Sequence, residues 1–414
     1  PAFTTIACLA TDRGGGVWFG TPQDGLHVVQ ERLVRVFTTR DGLGMNEIRS
    51  VCVQRDGTVV AAGDGPLSFG RDGQWTRTAE PFYLLSMVAD PRGHLWAGLR
   101  HAGKLAVLRV AETGPPEFHL PAVEWSFPNA LHLSSNGTLW VACGRGLTWI
   151  KTEALSEGTG ALEEARRRGA FGRLSVGREL PAGQPLGLVE DRDGSIWAGT
   201  IGKGLIHVVP DGTPAPATAR QVEVFTQRDG LPDDFCLPAH LDDSGALWVL
   251  TDSGLARRRA GRFQAIQAAD GLPADLFGGL VEDDLGHFWL SGRRGIHRLD
   301  RRELEALLDG RIGRVRSITL GVRDGLLTPE CSSGQYPGIA KSADGRIWVA
   351  TRHGLAVFDP RRVALDTQPL PAIIESLVVN REELTDWESR LQAERSDQPG
   401  ETGPARPLAL RLPA

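Results

Sequence analysis

The residues that could carry chemistry are spread thinly and form no recognised catalytic or metal-binding set. The 10 histidines include no H-x-H, H-x-x-x-H or H-E-x-x-H spacing, which zinc sites and metalloproteases use. The 5 cysteines are scattered without a C-x-x-C pair, so neither a disulfide framework nor a cysteine zinc site is predicted. Adjacent acids such as Asp233 and Asp234 lie beside turns, at spacings that match no calcium loop. We therefore predict no metal and no cofactor.

Composition and charge exclude several broad classes. Lys and Arg number 46 against 51 Asp and Glu, a net charge of −5, which gives no basic face for nucleic acid. An apolar content of 41% with 23% charged residues is typical of a folded chain. No apolar run approaches the length of a membrane span. No signal peptide is visible after Pro1.

A short pattern recurs along the chain and organises it. A polar turn containing Gly is followed by Trp, by a small or aliphatic residue and often by Thr, as in DGSIWAGT and DGRIWVAT. The copies lie about 47 residues apart on average, a period typical of a four-stranded propeller blade. The eight anchor positions are Trp18, Val60, Trp96, Trp140, Trp197, Trp248, Trp289 and Trp348.

Each copy consists of short Val, Ile, Leu and Trp runs between Gly-rich turns, which indicates strands rather than helices. The sequence therefore predicts an all-β fold, a β-propeller of four-stranded blades over residues 1–363, with one blade per motif. The last unit has only three strands and must take its outer strand from the N-terminal side. Residues 2–5 would close an eight-bladed ring and residues 36–39 a seven-bladed one. The motif count favours eight.

Two insertions depart from this pattern, each between the third and fourth strands of its unit. Residues 154–170 include a run rich in Ala, Glu and Arg, which predicts a short solvated helical turn. Residues 301–308 (RRELEALL) predict a helix that stops near Gly310.

The units resemble the two-component regulator propeller repeat. The likeness rests on the D-x-x-G-x-[IL]-W motif and on F-T-x-x-D-G-L at residues 37–43 and 225–231. The stretch with Glu330, Cys331, Gly334, Pro337 and Trp348 resembles the last repeat of such propellers. The resemblance implies a sensor region on the periplasmic side of the inner membrane, in a membrane-anchored protein. It also implies a histidine kinase or diguanylate cyclase downstream of Ala414 as signalling partner, with a homodimer as one arrangement.

Residues 371–380 (PAIIESLVVN) resemble the first strand of the small immunoglobulin-like, tyrosine-rich domain that follows these propellers. No Tyr occurs after Tyr336, and the remaining tail is rich in charge, Gly and Pro. We predict that residues 364–414 form a linker, the first strand or strands of an incomplete immunoglobulin-like domain, and a disordered tail. We expect the natural chain to continue beyond Ala414.

Two other functions stay open beside ligand sensing. A glycoside hydrolase or lyase of the sialidase type has an Asp five residues before its aromatic residue, whereas Asp193 lies four before Trp197. It also needs a Tyr nucleophile and an arginine cluster, and only Tyr83 and Tyr336 are available. We predict no catalytic residue in this segment. A protein-interaction propeller is the third function; a broad apolar patch would favour it, and a closed polar pocket would favour a small ligand.

The candidate ligand site is one end face of the propeller. Loops from an outer strand to the next inner strand share this face with turns between second and third strands, and the D-x-x-G hairpins lie at the opposite face. Charged groups of both signs and an aromatic group there suit a small polar ligand such as a sugar or oligosaccharide. The predicted ligand-binding residues are Arg40, Asp41, His101, Trp125, Arg145, Lys203, Arg228, Asp229, Arg293, Arg323, Glu330 and His353.

Overall fold

The chain folds mainly into antiparallel sheets of consecutive strands. The structure is a computed structural model, and it describes residues 5–12, 16–90, 95–101, 104–110, 127–154, 167–181, 183–210, 219–332, 336–363, 378–379 and 382–383. Neighbouring strands in sequence are neighbours in the sheets, because short turns join short apolar runs. Across these ranges, none of the helices has the length and apolar character needed to cross a bilayer.

The strand and helix bounds follow the repeat closely. In chain order the strands are β1 (Cys8–Thr11), β2 (Val17–Thr21), β3 (Gly25–Val29), β4 (Val34–Phe37), β5 (Ile48–Val53), β6 (Val59–Arg71), β7 (Gln74–Ala89), β8 (Leu95–His101), β9 (Lys104–Val110), β10 (Pro128–Leu133), β11 (Thr138–Cys143), β12 (Gly146–Lys151), β13 (Phe171–Ser175), β14 (Pro185–Glu190), β15 (Ile196–Thr200), β16 (Leu205–Pro210), β17 (Ala219–Phe225), β18 (Cys236–Leu241), β19 (Leu247–Thr251), β20 (Gly254–Arg259), β21 (Arg262–Ile266), β22 (Phe277–Glu282), β23 (His287–Gly292), β24 (Gly295–Asp300), β25 (Ser317–Leu320), β26 (Ile339–Lys341), β27 (Ile347–Thr351), β28 (Gly354–Phe358), β29 (Val378–Val379) and β30 (Glu382–Glu383). The described α-helix is α1 (Arg301–Leu308), and short 3-10 helices span Thr39–Asp41, Thr152–Ala154, Gln227–Asp229, Ala268–Asp270, Val322–Asp324 and Pro360–Arg362.

Most sheets have the predicted blade order, with the first strand inside and the fourth outside. These four-stranded sheets are β10-β11-β12-β13, β14-β15-β16-β17, β18-β19-β20-β21 and β22-β23-β24-β25. The predicted helix is present as α1, between β24 and β25. Most of the insertion at 154–170 lies outside the described residues.

The ring is closed by β4, not by residues 2–5. β4 is the outer strand of the sheet β26-β27-β28-β4, and Phe37 lies opposite Leu355 in the β28 register. In the described part of the chain, seven inner strands lie side by side around the axis in the order β5, β7, β10, β14, β18, β22 and β26, and β26 lies next to β5. The preference for eight blades was therefore wrong, and the seven-bladed alternative describes the closure.

One sheet departs from the rule of four strands per motif. The order β5-β6-β7-β8-β9 joins two units. In the Val60 unit, Gly65 follows the anchor by five residues, whereas Gly254 follows Trp248 by six. This unit is one residue short at its second turn, and β6 folds back there, because the Arg71 guanidinium at its end donates to the Thr58 hydroxyl just before its start at 2.7 Å. The distal half of β6 then pairs with β7.

The first motif forms a separate three-stranded sheet, β1-β2-β3. It lacks an outer strand because β4, the next strand in sequence, pairs with β28. Large apolar side chains remain exposed on this sheet, among them Leu9, Leu26 and Val29. The sheet thus has the chemistry of a blade without the neighbours that would bury it.

The chain divides into two compact units, Pro1–Ala364 and Leu365–Ala414. In the second unit the described residues form one two-stranded pair, β29-β30. Val378 and Val379 belong to the segment that we compared with an immunoglobulin-like strand. The identity of that domain and the disorder of the tail stay predictions, since nearly all of these residues lie outside the described ranges.

The motif tryptophans of the ring fill the space between blades. Trp197 is 0% exposed and stacks on His207 with ring centroids 3.9 Å apart. Its neighbours include Leu205, Leu231 and Val249, from its own blade and the next. Burial of this kind is the main favourable contribution that a blade contact can make.

We expect Trp197→Ala to lower the free energy of unfolding by about 3–5 kcal/mol, because it leaves a large cavity between two blades. Urea denaturation followed by fluorescence measures this loss. Trp18→Ala is the matched control, since Trp18 is 37% exposed on the separate sheet. Equal losses for the two variants would contradict the packing role.

A second prediction tests ring closure. Gly354 has φ +123°, and a Cβ on it would lie 2.3 Å from the Phe37 carbonyl oxygen of β4. Gly354→Ala should therefore displace β4 and destabilise the fold by more than ~1 kcal/mol. Gly313→Ala is the control, because a Cβ there meets no atom within 4 Å. Hydrogen exchange of the β4 amides should rise in the first variant only, and unchanged exchange would refute closure through β4.

Candidate functional site

The turns between the second and third strands of the blades lie at one end of the ring, which we name the turn end. Several of them are fixed by a Thr and a Gly. The Thr251 hydroxyl donates to the Gly254 carbonyl oxygen at 2.9 Å, and Thr351 donates likewise to Gly354 at 2.7 Å. The two residues between such a Thr and Gly are therefore presented at the turn end.

The D-G-L segments lie at the same end and form the 3-10 helices that connect blades. Asp41 accepts a hydrogen bond from the Thr38 backbone N–H at 2.8 Å, and Asp229 accepts the equivalent bond from Thr226 at 2.8 Å. Each carboxylate thus caps its own turn. This structural role explains why Asp recurs in these segments.

Three cavities open at the turn end, and Arg293 borders all three. A cavity of about 450 Å³ lies over the turns of neighbouring blades. An axial cavity of about 250 Å³ lies at the ring centre, and a polar cavity of about 410 Å³ lies beside β5 and the last blade. The Arg293 side chain is exposed, and among the described residues its guanidinium has no hydrogen-bonding or ion-pairing partner. It is the group best placed to meet a ligand.

The position of Arg293 is set by a buried carboxylate. Asp275 accepts hydrogen bonds from the backbone N–H groups of Arg293 at 3.0 Å and Arg294 at 2.8 Å. It also accepts one from His297 Nε2 at 2.9 Å. The other ring nitrogen, Nδ1, lies 2.9 Å from the Thr319 hydroxyl. These partners assign the proton to Nε2 and make Nδ1 the acceptor.

The charge states of this pair follow from its surroundings. Burial acts to raise the pKa of Asp275, but hydrogen bonds from His297 and from the backbone of Arg294 and Leu276 outweigh it and hold the pKa below 3.8. Burial lowers the pKa of His297 below 6.5, and Asp275 opposes this shift without cancelling it. At neutral pH the carboxylate is therefore charged and the imidazole neutral.

Tyr336 forms the floor of the axial cavity. The Met87 backbone N–H donates to the Tyr336 carbonyl oxygen at 3.2 Å, and that of Val51 donates to Pro337 at 2.9 Å. The segment before β26 thereby crosses the axis and bonds to β5 and β7. Burial raises the pKa of the Tyr336 phenol to about 12, so it stays neutral. The same side chain lines a further cavity, of about 420 Å³, that opens at the opposite end.

The polar cavity is lined by charges that are already paired. Arg352 forms an ion pair with Glu330 at 3.1 Å. Arg49 pairs with Asp64 at 2.7 Å and lies 3.5 Å from Glu47. Because these arginines have carboxylate partners, a ligand there would compete with existing ion pairs.

At the opposite end, histidines of one blade meet glutamates of the next. His240 Nε2 lies 2.8 Å from Glu282, and His132 Nε2 lies 3.5 Å from Glu190. Arg301 of α1 also contacts Glu282, at 2.9 Å. These contacts join neighbouring inner strands, so His240 and His132 have a structural role.

Among the predicted site residues that the structure describes, it brings two to these cavities, Arg293 and Glu330. Arg145, Lys203 and His353 lie on exposed turns of the same end. Other members lie on the connecting 3-10 helices: Arg40, Asp41, Arg228, Asp229 and Arg323. His101 ends β8, and Trp125 lies outside the described residues.

Sequence reasoning missed several cavity residues: Arg49, Asn129, Asp252, Asp275, Tyr336 and Arg352. Asp252 could have been found from the sequence, since it occupies the same turn position as the predicted residue Arg293, directly after the second strand. Tyr336 could have been found from the length of its connection. β26 begins 13 residues after Leu326, whereas β22 begins 5 residues after Leu272. Tyr336 and Pro337, which bond to β7 and β5, belong to this longer connection.

Comparisons with known proteins bear on the fold. No family profile and no curated protein matches this sequence. Among solved structures, the extracellular domain of a protein described as a hybrid two-component system of B. thetaiotaomicron matches with a TM-score of 0.65 and 17% identity over 92% of this chain and 50% of that one. The extracellular domain of a one-component system of the same organism gives a TM-score of 0.57 and 14% identity, covering 92% of this chain and 48% of that one. Streptogramin B lyase gives 0.56 and 12%, covering 78% and 96%.

These likenesses establish the class of fold, a β-propeller of several blades, as the sequence predicted. Identities of 12–17% do not extend to function, and the similar structures include both extracellular domains of signalling systems and an enzyme. This chain spans about half the length of the two extracellular domains.

The role of Asp275 generates a prediction. Asp275→Asn should lower the free energy of unfolding by about 1–3 kcal/mol at pH 7, because the amide cannot accept all four hydrogen bonds. Since the folded pKa lies below the ordinary value of 3.8, Asp275 stabilises the fold above that pH and loses this contribution as the pH falls through the folded pKa. The deficit of the variant should therefore shrink below about pH 4.

Chemical denaturation at pH 7 and pH 3 measures this deficit. Asp243→Asn, at an exposed turn position of the opposite end, is the control and should show little effect at either pH. A pH-independent deficit for Asp275→Asn would contradict the assigned charge.

Proposed function

We propose that this chain is the ligand-binding propeller of an extracytoplasmic sensor, and that a small polar ligand binds at the turn end through Arg293. The observation that carries the proposal is the exposed, unpaired guanidinium of Arg293 at the junction of three cavities. An arginine held by its backbone and left without a side-chain partner is suited to bind an acidic or polar group of a ligand.

The comparisons support the extracytoplasmic sensor. Two similar structures are extracellular domains of signalling systems, which agrees with the resemblance of the repeats to sensor propellers. The finer features follow as part of the proposal: a periplasmic position, a membrane anchor and a histidine kinase or diguanylate cyclase elsewhere in the full-length protein. The propeller would then act by binding, with no turnover of its ligand.

One observation favours a protein-interaction function, and it concerns the separate three-stranded sheet and not the turn end. The exposed apolar side chains of β1, β2 and β3 form the kind of surface that contacts another protein. The turn end has concave, charge-lined cavities instead. We therefore assign ligand binding to the turn end and reserve the separate sheet for protein contact.

A thermal-shift screen with sugars, oligosaccharides, organic acids and amino acids tests the proposal. At least one class should raise the melting temperature, and Arg293→Gln should abolish the shift. Arg262→Gln is the matched control, because Arg262 is an exposed arginine at the start of β21, beside a turn at the opposite end. Binding that persists in Arg293→Gln and fails in Arg262→Gln would overturn the assignment.

A further inference from the structure

The axial cavity contains two opposite charges that face the same space without pairing. Arg293 and Asp252 both line it, and both also line the 450 Å³ cavity beside it. Asp252 lies in the turn between β19 and β20, and Arg293 lies in the turn between β23 and β24 of the next blade. Burial and the nearby Asp233 raise the pKa of Asp252, and Arg293 opposes this shift, yet no ion pair or hydrogen bond joins the Arg293 and Asp252 side chains among the described residues. The rigid turns hold the charges on separate walls.

The neighbouring charged groups are already satisfied. Asp233 accepts hydrogen bonds from the Phe235 backbone N–H at 2.8 Å and from the Ser253 hydroxyl at 3.0 Å. Asp275 is occupied by the turn of Arg293 and by His297. Arg294 lines only the neighbouring cavity. Among the described residues that line the axial cavity, Arg293 is therefore a cation and Asp252 an anion without a bonded side-chain partner.

The remaining walls are apolar, with one amide among them. Leu186, Leu237, Phe235 and Phe277 line the cavity above Tyr336. The Asn129 side chain donates its Nδ2 hydrogen to the Pro185 carbonyl oxygen at 3.1 Å, which leaves its Oδ1 to accept a bond from a ligand. A volume of about 250 Å³ limits the buried part of the ligand to one or two residues of peptide size.

This arrangement discriminates by charge. A simple anion attracted by Arg293 would also face Asp252, and a simple cation attracted by Asp252 would face Arg293, so each meets one repulsive group. A neutral sugar would leave both charges without ionic partners and would place hydroxyl groups against Leu and Phe side chains. A ligand with an ammonium group, a carboxylate and an apolar side chain has a complementary group for Asp252, for Arg293 and for the apolar walls.

We infer that the axial cavity binds an α-amino acid or short peptide with an apolar side chain, with its carboxylate on Arg293 and its ammonium group on Asp252. The inference rests on the proposed function and names the ligand class of the same site. Leucine and phenylalanine represent the free amino acid, and Leu-Leu and Leu-Leu-Leu represent the peptide.

Isothermal titration at pH 7 tests the inference with these compounds, with N-acetyl-leucine, with leucinamide and with a neutral disaccharide. A zwitterion should bind, and each singly charged analogue should bind at least about tenfold more weakly, because one wall charge is left unpaired. The relative affinities of leucine and of the peptides show whether the cavity prefers a free amino acid or a short peptide.

Variants of the two charged residues should have opposite effects on the analogues. Asp252→Asn should weaken binding of the zwitterion at least about tenfold and should not weaken binding of N-acetyl-leucine, which lacks the ammonium group. Arg293→Gln should weaken the zwitterion likewise and should not weaken leucinamide. Arg262→Gln should change none of these affinities, and melting curves should show that all three variants fold.

Failure of the inference can be separated from failure of the proposed function. Binding of the disaccharide or of a simple acid that requires Arg293 and not Asp252 would overturn the amino-acid class and keep the turn-end site. Absence of binding for every zwitterion would likewise overturn the class. Zwitterion binding that is unchanged in both Arg293→Gln and Asp252→Asn would overturn the site itself.

Discussion

The bond on which the rest of the structure depends joins the indole N–H of a motif Trp to a carboxylate six residues earlier. It measures 2.9 Å from Trp197 to Asp191, 2.9 Å from Trp248 to Asp242 and 2.7 Å from Trp289 to Asp283. In these three blades, the bond joins the hairpin at the opposite end to the second strand and satisfies the polar atom of a fully buried ring, and in the last blade Trp348 donates instead to the Ser342 hydroxyl. Burial acts to raise the pKa of Asp242, but the Ser244 and Trp248 side chains and the Ala246 backbone N–H outweigh it and keep the carboxylate charged. The far end of the same strand presents the turn that contains Asp252.

The number of motifs does not determine how the ring closes. Each motif marks a second strand, and eight motifs were read as eight blades. A motif does not determine which outer strand pairs with the last blade, because residues 2–5 and β4 have similar sequences. In the structure Val34 and Phe37 of β4 are buried against the last blade. The first motif, deprived of that strand, forms the separate exposed sheet. Closure therefore depends on competition between two similar strands, which local sequence does not resolve.

The sequence predicted the strands, the turn end and one cavity residue of central importance, Arg293, because the Gly that begins each third strand and the D-G-L segments mark the turns at this end. It could not rank the residues on those turns. Asp229 and Arg293 are both exposed polar residues of the same end, yet the first caps its own turn and the second borders three cavities. The difference comes from Asp275, a buried partner 18 residues before Arg293 in sequence. Contacts of this range depend on how blades pack, and a repeat pattern alone does not contain them.

Depth at the ring centre is set independently of the blades. The blades supply the walls of the axial cavity, whereas its floor is Tyr336, which belongs to the long connection before β26. That connection bonds to β5 and β7 through Val51 and Met87, so it joins the first inner strands of the ring to the last blade. A change of length or side chain in this connection would alter the depth of the cavity and leave the Trp–Asp anchors of the blades intact. A propeller of this construction can therefore change the size of its axial cavity through one connection, while Asp252 and Arg293 keep the charge pattern of the walls.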